Sequence, residues 1–525
     1  MASIKMDDTT ACSGSSAGYR RRILSWALYD WGNHGYITTT ATSFFPPYFI
    51  ALAAPAFMIA GTSATETGVA MARGTASNIF ALVVSLSLLA ASILAPIIGA
   101  YADITGYRKR LLMVSTVIGG VISSIMFVLS SGRWELALVF YFATQVAMNI
   151  ALGLNSSLLP HIARHDDLNR VSSLGYGMGY AGGGMLLIFC TVLYLFADAF
   201  GVSRDMAVRI AFLSVGIWWI IFSIPLMLNV PEPPATPLET GYGKSPLHDT
   251  FIRLGRTLRD IRHYGELFKM LVAFWFYMEG IGAIILLATA YGAALGLDTP
   301  VLIGTLLMTQ FVAFPYSIAY GYMPDRTKTY SSATVSMVIW TGITFPLMGI
   351  YANMNGNLGI PATFAMMGCN QAAGLIFSAF IGKYLFAGLA RRIDAKKAVI
   401  IGLMIYSIIP VWGFFLHTKA EFFMIGWLVG VVQGGTQALS RSIYARLTPA
   451  SKSGEFFGFY GLSEKFAGIL GPLLYGIVGG ITHSPRDSIM SITVFFIIGI
   501  IILTRVDVER GALVASQEEA SIKSG

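Results

Sequence analysis

Long apolar stretches separated by short polar segments run through the whole 525-residue chain. Fourteen of these stretches are long enough to cross the ~30 Å hydrocarbon core of a bilayer as helices. The pattern therefore predicts an all-α, polytopic membrane protein. The predicted spans cover residues 26–50, 77–101, 111–130, 134–156, 171–199, 207–229, 266–295, 301–322, 332–352, 361–389, 397–416, 421–442, 455–481 and 487–505.

The longest polar break between spans begins Pro-rich and ends basic and amphipathic. It leaves six spans before it and eight after it. This break predicts two halves joined by a linker and flanked by cytoplasmic tails. The expected segments are the tail 1–25, the first half 26–230, the linker 231–264, the second half 265–505 and the tail 506–525.

The composition agrees with a membrane protein, because only 12% of the residues are charged and the mean hydropathy is +0.67. Soluble chains average about 25% charged residues. The net charge of +8 comes from Lys and Arg in short loops, a positive-inside pattern that places both termini in the cytoplasm and does not indicate nucleic-acid binding. Cys12, Cys190 and Cys369 have no metal-binding spacing, so no metal site is expected. No nucleotide or other cofactor motif is present, and no cofactor is expected.

The loop after the second predicted span reads 99-GAYADITGYRKR-110. On general grounds it is a positive-inside loop with a turn glycine. It also resembles the loop signature of the major facilitator superfamily, in which an acidic residue and bases latch a cytoplasmic gate. A degenerate copy at 388–397 implies the internal repeat of such transporters. The resemblance assigns the cytoplasmic gate to Gly99, Asp103, Gly106, Arg108, Lys109 and Arg110.

Three further segments, 25–49, 309–315 and 429–472, resemble the autophagy-related vacuolar amino-acid effluxers and their bacterial relatives. This resemblance implies a major facilitator fold of two six-helix halves, secondary transport and amino-acid export. It implies the cell membrane in a prokaryotic host and the vacuolar membrane in a eukaryotic one. The chain departs from the family by about sixty residues inserted after Pro315, as two extra spans. Either 301–322 is the eighth helix and 332–389 adds a hairpin, or the reverse assignment holds.

Polar residues concentrate in some spans, whereas the third, the sixth, 397–416 and the last have no charge or amide in their middles. In the superfamily those four helices face lipid, and the others line a central cavity. The substrate or coupling cavity is therefore expected to contain Asp30, Asn33, His34, Gln145, Asn149, Glu279, Gln310, Gln433, Gln437, Glu464 and Lys465.

Glu464 and Lys465 lie near the middle of a predicted span, where a charge costs about 2.5–3.5 kcal/mol. Neighbouring helical residues point about 100° apart, so each needs a partner on another helix or water. Lys465 is a candidate to bind an anionic group of the substrate or to pair with a cavity acid. A permanent Lys465–Glu279 ion pair is the structural alternative.

The other cavity residues also have two interpretations. Asp30, Glu279 and Glu464 are candidates to carry protons or to bind an amino group, because a buried carboxylate without a fixed partner favours its protonated form. His34 is either a proton relay or a hydrogen-bonded packing residue. The amides of Gln433 and Gln437, on one helix face, either contact substrate or join helices.

The favoured function is secondary active transport by alternating access. The expected substrate is a small solute such as an amino acid, moved outward and coupled to protons, by a monomer in a lipid bilayer. A transporter-derived membrane sensor or scaffold without transport is the alternative. An enzyme is not expected, because the acids lie on separate spans. Arg441, at the end of its span, is expected to snorkel to the membrane surface.

Overall fold

The computed structural model describes residues 16–58, 66–129, 132–236, 245–259, 263–324, 329–354, 359–466 and 468–524. Over these ranges the chain forms helices and contains no strand. Twelve of the helices in the described ranges are long and apolar enough to cross a membrane. The prediction of an all-α polytopic membrane protein is confirmed.

The helices are grouped here by their position along the chain. Those of the first half are α1 Ser16–Gly35, α2 Phe45–Ala53, α3 Glu66–Thr105, α4 Arg108–Ile125, α5 Trp134–Ser157, α6 Leu159–Ile162, α7 Leu168–Leu195 and α8 Arg204–Asn229. The linker forms α9 Pro246–Arg259. Those of the second half are α10 Gly265–Ala294, α11 Thr299–Tyr320, α12 Thr329–Met354, α13 Ile360–Phe377, α14 Lys383–Leu385, α15 Ala387–Ala390, α16 Ala395–Phe414, α17 Lys419–Leu447, α18 Ser453–Phe466, α19 Leu470–Thr482, α20 Pro485–Ser491, α21 Thr493–Thr504 and α22 Val508–Ser524.

The first predicted span is interrupted, which is one reason why the number of continuous spanning helices is below fourteen. A π-helical segment, Tyr36–Phe44, separates α1 from α2. The Thr38 hydroxyl donates to the His34 carbonyl oxygen at 2.9 Å, a local bond of the kind that competes with the helical ladder. Two prolines lie in the first turn of α2, where a backbone N–H would have no partner within the helix, so their lack of an N–H is tolerated.

The penultimate predicted span, 455–481, is interrupted as well. It consists of α18, which ends at Phe466, and α19, which begins at Leu470. Pro472 lies in the first turn of α19, where its lack of an N–H is tolerated. In an unbroken helix the same proline would remove a hydrogen bond and clash with the preceding turn. The interruption creates a second helix N-terminus within the predicted span.

The chain packs as two compact units. The first takes its described residues from Met1–Arg164, Ala181–Leu258 and Ser451–Leu462, and the second from His165–Tyr180, Arg259–Ala450 and Ser463–Gly525. In the first unit α4 and α8 approach closely, since a Cβ atom at Gly216 would overlap the Gly120 carbonyl. In the second unit α11 lies along α17, where the Thr309 hydroxyl donates to the Gly426 carbonyl oxygen at 3.0 Å. Small residues at such contacts are typical of membrane helices.

The two extra spans of the second half form α12 and α13. The Tyr316 hydroxyl of α11 donates to Gln371 Oε1 at 2.6 Å and lies 3.0 Å from the Thr341 hydroxyl. A buried polar network therefore joins α11, α12 and α13. Among the twelve candidate spans of the described chain, the one containing α13 is the least buried. This arrangement fits the assignment in which α11 is the eighth helix of the family and the pair is the insertion.

Candidate functional site

Asp103 lies near the end of α3 and caps the first turn of α18. Its Oδ1 atom accepts the Gly454 backbone N–H at 2.9 Å, and its Oδ2 atom accepts the Glu455 N–H at 3.0 Å. The first N–H groups of a helix have no partner within it, and the helix dipole favours an anion there. Asp103 therefore ties the end of one predicted span to the start of another within the first unit.

Two buried arginines neutralise this carboxylate. Nε and Nη2 of Arg108 each lie 2.6 Å from Asp103 Oδ1, and Nη2 of Arg253 lies 3.6 Å from Oδ2. Arg253 also donates from Nε to Glu455 Oε2 at 3.2 Å. We name Asp103, Arg108, Arg253 and Glu455 the gate cluster. All four side chains are buried, and their two positive charges balance two negative charges.

The glycines of the predicted gate loop allow this close approach. A Cβ atom at Gly99 would overlap the backbone carbonyl of Gly454, so α3 and α18 meet there backbone to backbone. Gly106 turns the chain between α3 and α4 with a φ of +70°, which other residues rarely adopt. Substitution at either glycine would displace the loop that carries Asp103.

The remaining bases of the predicted gate contact the first unit outside the gate cluster. Lys109 Nζ donates to the carbonyl oxygens of Met227 at 3.2 Å and Val230 at 2.8 Å. These carbonyls lie at the end of α8, where a cation is favoured by the helix dipole. The Arg110 guanidinium lies 4.7 Å from the centre of the Tyr107 ring. Lys109 therefore fastens the loop to α8, and Arg110 stacks on the loop itself.

Asp30, on α1, is buried and bound to a neutral partner. Its Oδ1 atom accepts from Asn155 Nδ2 at 2.9 Å, and the Trp26 indole donates to the Asn155 carbonyl oxygen at 3.0 Å. His34 Nδ1 lies 3.1 Å from the Asp30 carbonyl oxygen, a contact within its own helix. These bonds join α1 to the end of α5, and Asn155 was not among the predicted site residues.

Three other predicted residues of the first unit have amide oxygens without a hydrogen bond. These atoms are Asn33 Oδ1, Gln145 Oε1 and Asn149 Oδ1, all buried and without a partner among the described residues. A buried acceptor without a donor costs about 1–3 kcal/mol. Such atoms indicate a polar interior in the first unit that is suited to water or to a solute with donor groups.

Glu279, on α10, caps the first turn of α19 within the second unit. The side chain is 0% exposed. Its Oε2 atom accepts the Gly471 N–H at 2.9 Å, whereas Oε1 has no hydrogen-bond partner. The Trp275 indole N–H lies close to the carboxylate, and it has no hydrogen-bond partner among the described residues. No cation of the described residues pairs with Glu279, so the helix N-terminus is its main stabilising partner.

A cavity of about 80 Å³ lies beside α10, α11 and α17 in the second unit. Its wall is mostly aliphatic, with two predicted amides, Gln310 and Gln433, among a few polar groups. Gln310 Oε1 is buried without a hydrogen-bond partner. Gln437, one turn from Gln433, accepts instead from the Tyr180 hydroxyl at 2.9 Å. The two glutamines predicted on one helix face therefore have different surroundings.

Glu464 is half-buried near the end of α18. The side chain of Lys465 lies outside the described residues, and so does the expected Lys465–Glu279 contact. The structure brings Gln310 and Gln433 together in one cavity and places Asp103 with Arg108. The described part of the chain contains no group of three or more His, Cys, Asp or Glu side chains that could hold a metal ion.

The expectation that Arg441 snorkels to the membrane surface is wrong. The side chain is 2% exposed, and its Nε and Nη2 atoms donate to the Ser172 hydroxyl and carbonyl oxygens, both at 2.9 Å. The guanidinium also lies 4.4 Å from the centre of the Tyr176 ring. A close neighbouring helix, α7, thus supplies polar partners, so the side chain does not have to reach water.

Sequence reasoning also missed two members of the gate cluster, Arg253 and Glu455, and one residue that contacts it. His161, on the short helix α6, accepts from Arg108 Nη1 at 2.7 Å, but the segment between the two predicted spans has no distinct sequence pattern. Glu455 had a signal, as a lone acid at the start of an apolar run. Arg253 also had one, because Thr250, Arg253 and Thr257 form a polar stripe on one face of the linker helix.

The family model described as "Vacuole effluxer Atg22 like" matches residues 18–380 and 373–516. The uncharacterized MFS-type transporter YxiO of Bacillus subtilis (strain 168) is 30% identical over 499 residues, which cover 94% of this chain and 96% of the relative. Autophagy-related protein 22 of Cryptococcus neoformans var. neoformans serotype D (strain B-3501A) is 24% identical over 346 residues. That match covers 65% of this chain and 53% of the fungal protein, so the chain spans about half the length of this relative.

Solved transporter structures share the fold. The proton:xylose symporter XylE, bound to 6-bromo-6-deoxy-D-glucose, has a TM-score of 0.56 at 12% identity and covers 94% of this chain and 97% of its own. The major facilitator transporter FucP in the outward conformation has a TM-score of 0.53 at 11% identity, with coverages of 93% and 99%. The chain therefore belongs to the Atg22-like vacuole effluxer family of the major facilitator superfamily, and it is a secondary transporter and not an enzyme.

Proposed function

We propose that this transporter exports a small solute carrying an amino and a carboxyl group, and that proton movement drives the export. The family description as an effluxer supports the direction. Alternating access between the two halves of the fold would move the solute. We place both termini in the cytoplasm, because the basic residues concentrate in the loops on that side. The working unit in this proposal is a monomer.

The observation that carries proton coupling is the environment of Glu279. An ionised carboxylate buried with one oxygen unbonded loses much of the stabilisation that water would provide. Protonation removes the charge and provides a donor, while the other oxygen can still accept the Gly471 N–H. The site can therefore accommodate both the ionised and the protonated carboxyl group of Glu279. A group that gains and loses a proton in each transport cycle requires this.

Two regions support a small, partly apolar solute. The cavity beside Gln310 and Gln433 offers an aliphatic wall with few polar groups, which fits a small side chain. In the first unit, the unbonded oxygens of Asn33, Gln145 and Asn149 are acceptors that an amino group could satisfy. These features support a solute with an amino group and a small apolar side chain.

The substrate class can be tested with purified protein. A panel of amino acids, peptides and organic anions is added, and the thermal unfolding midpoint is measured, because a ligand of the native state raises it. Ligands that raise the midpoint are then tested for transport in proteoliposomes with an imposed pH gradient. We expect amino-acid uptake that follows the gradient. Transport that ignores the gradient would contradict proton coupling, and binding without transport would favour a sensor.

Glu279→Gln tests the proton-binding residue itself. The amide oxygen can still accept the Gly471 N–H, but an amide does not bind and release a proton near neutral pH. We expect gradient-driven accumulation to be lost while solute exchange across the membrane persists. Glu135→Gln is the matched control, since Glu135 is exposed at the start of α5. Unchanged accumulation in Glu279→Gln would make Glu279 a structural cap only.

A further inference from the structure

The linker helix α9 has an unusual distribution of side chains. Its buried face is polar and consists of Thr250, Arg253 and Thr257. Leu247 and Phe251, one turn apart, are instead 53% and 54% exposed. A surface helix of a soluble protein has the opposite arrangement, with its apolar face toward the core. The exposed leucine and phenylalanine therefore indicate an apolar environment outside the protein.

The buried face of α9 is held in place by Arg253. Besides its contacts to Asp103 and Glu455, the guanidinium donates to the carbonyl oxygens of Ser451 at 2.9 Å and Thr236 at 3.2 Å. All of these partners belong to the first unit. A buried guanidinium with four polar neighbours is costly to withdraw, because each lost bond leaves a buried group unsatisfied. The position of α9 is therefore coupled to that of the gate cluster.

The same contacts place α9 at the surface of the bilayer. Asp103 lies two residues before Thr105, the end of a candidate membrane span. A side chain that reaches Asp103 belongs to a helix at the level where that span leaves the hydrocarbon core. An amphipathic helix at this level lies in the membrane interface with its apolar residues among the acyl chains.

The charge of α9 selects the type of lipid. The helix carries Arg253, Arg256 and Arg259 but only one acid, Asp249. Arg256 is exposed. Basic residues strengthen the binding of a helix to an anionic membrane surface. Exposed apolar side chains and an excess of arginine on one helix are typical of binding to anionic phospholipid.

We propose that α9 lies in the bilayer surface, with Leu247 and Phe251 in the lipid and Arg256 toward anionic headgroups, and that this contact keeps Arg253 in the gate cluster. In this position α9 connects the membrane surface to the gate cluster, and we call it the strap. Anionic lipid stabilises the strap in place, and loss of the lipid contact makes withdrawal of Arg253 easier. The inference does not depend on the substrate or on proton coupling.

The position of α9 is tested with spin labels on the full-length protein, after replacement of Cys12, Cys190 and Cys369. Single cysteines are introduced as Leu247→Cys and Phe251→Cys. Pro246→Cys is the matched control, because Pro246 is also exposed but points about 100° away from Leu247 and about 140° away from Phe251. The labelled proteins are reconstituted in nanodiscs of neutral lipid with and without phosphatidylglycerol. Collisions of the label with oxygen, which concentrates in lipid, and with a water-soluble nickel chelate are then measured.

We expect several-fold more oxygen than nickel collisions at positions 247 and 251, the reverse at position 246, and a larger difference with phosphatidylglycerol. Equal nickel access at all three positions in both lipids would overturn the proposal. Low collision rates with both oxygen and nickel at positions 247 and 251 would also overturn it, because protein and not lipid would then cover this face.

The link to the gate is tested by stability. We expect phosphatidylglycerol to raise the thermal unfolding midpoint of the wild type, and Leu247→Ser with Phe251→Ser to abolish this rise. Leu513→Ser, an exposed leucine on α22, is the control and should retain it. Arg253→Gln should retain lipid protection of positions 247 and 251 but lose the rise in the midpoint. A full lipid response in the serine double variant or in Arg253→Gln would contradict the strap.

Discussion

The two helices of the interrupted penultimate span, α18 and α19, are each capped at the N-terminus by a carboxylate, in opposite electrostatic settings. Asp103 caps α18 with both oxygens, through the Gly454 and Glu455 N–H groups, and it pairs with two arginines. Glu279 caps α19 with one oxygen, has the other unbonded, and pairs with no cation of the described residues.

The difference shows how the same local motif can serve two purposes. Hydrogen bonds and nearby cations both stabilise the ionised form of a carboxylate, so Asp103 is suited to act as a fixed latch. Without a cation, burial favours the protonated form and competes with the helix N-terminus, which favours the charge. Of the two carboxylates, Glu279 is therefore the one that we propose as the proton-binding residue.

The largest expected effect on stability comes from Asp103→Asn. The substitution leaves Arg108 and Arg253 buried with one carboxylate fewer, and breaking such a pair costs about 3–5 kcal/mol. We expect a clearly lower thermal unfolding midpoint, together with slower transport. Asp298→Asn is the matched control, because Asp298 pairs with Lys419 at an exposed site, where the cost is about 0–1 kcal/mol. Similar shifts in both variants would show that the gate cluster is not an electrostatic latch.

An intermediate effect is expected from alanine at the capped glycines. A Cβ atom at Gly454 would overlap Asp103 Oδ1 and the Gly99 carbonyl, and one at Gly471 would overlap Ala283 and the Glu279 carbonyl. Overpacking of this kind costs about 1–3 kcal/mol, so both variants should have lower unfolding midpoints.

Gly476→Ala provides the control for this pair. No atom lies within 4 Å of a Cβ atom built at this position on α19, so alanine should be neutral or stabilising through its higher helix propensity. If Gly471→Ala behaved like Gly476→Ala, the close packing of Glu279 on α19 would be wrong.

The smallest change in stability is expected from Glu279→Gln, which should shift the free energy of unfolding by no more than about 1 kcal/mol. The amide retains the bond to the Gly471 N–H, and the charge that it removes has no cation partner among the described residues. The unfolding midpoint of this variant is compared with that of Asp103→Asn. A loss of similar size would show that a cation holds Glu279, and Lys465→Gln would then identify it.

The sequence by itself determined the all-α polytopic fold, the approximate number of spans, the turn at Gly106 and the family. Hydropathy over about 20 residues is a local property, because each segment exchanges water for lipid whatever its neighbours are. The loop at 99–110 can be recognised from the sequence for a similar reason, because the turn at Gly106 depends on only a few neighbouring residues. The distribution of polar residues among the spans also selected Glu279, although not the helix N-terminus that it caps.

Only the tertiary structure decided which polar groups meet. Asp103 and the N–H groups that it accepts are 351 and 352 residues apart in the chain. Arg253 has the sequence context of an ordinary base of the linker and Arg441 that of a base at the end of a span, but the packing of neighbouring helices buries both. A charge near a membrane surface can reach water or a buried partner, and the choice depends on whether another helix supplies hydrogen-bonding groups. That supply is a property of the packed helices and is not encoded in any one segment.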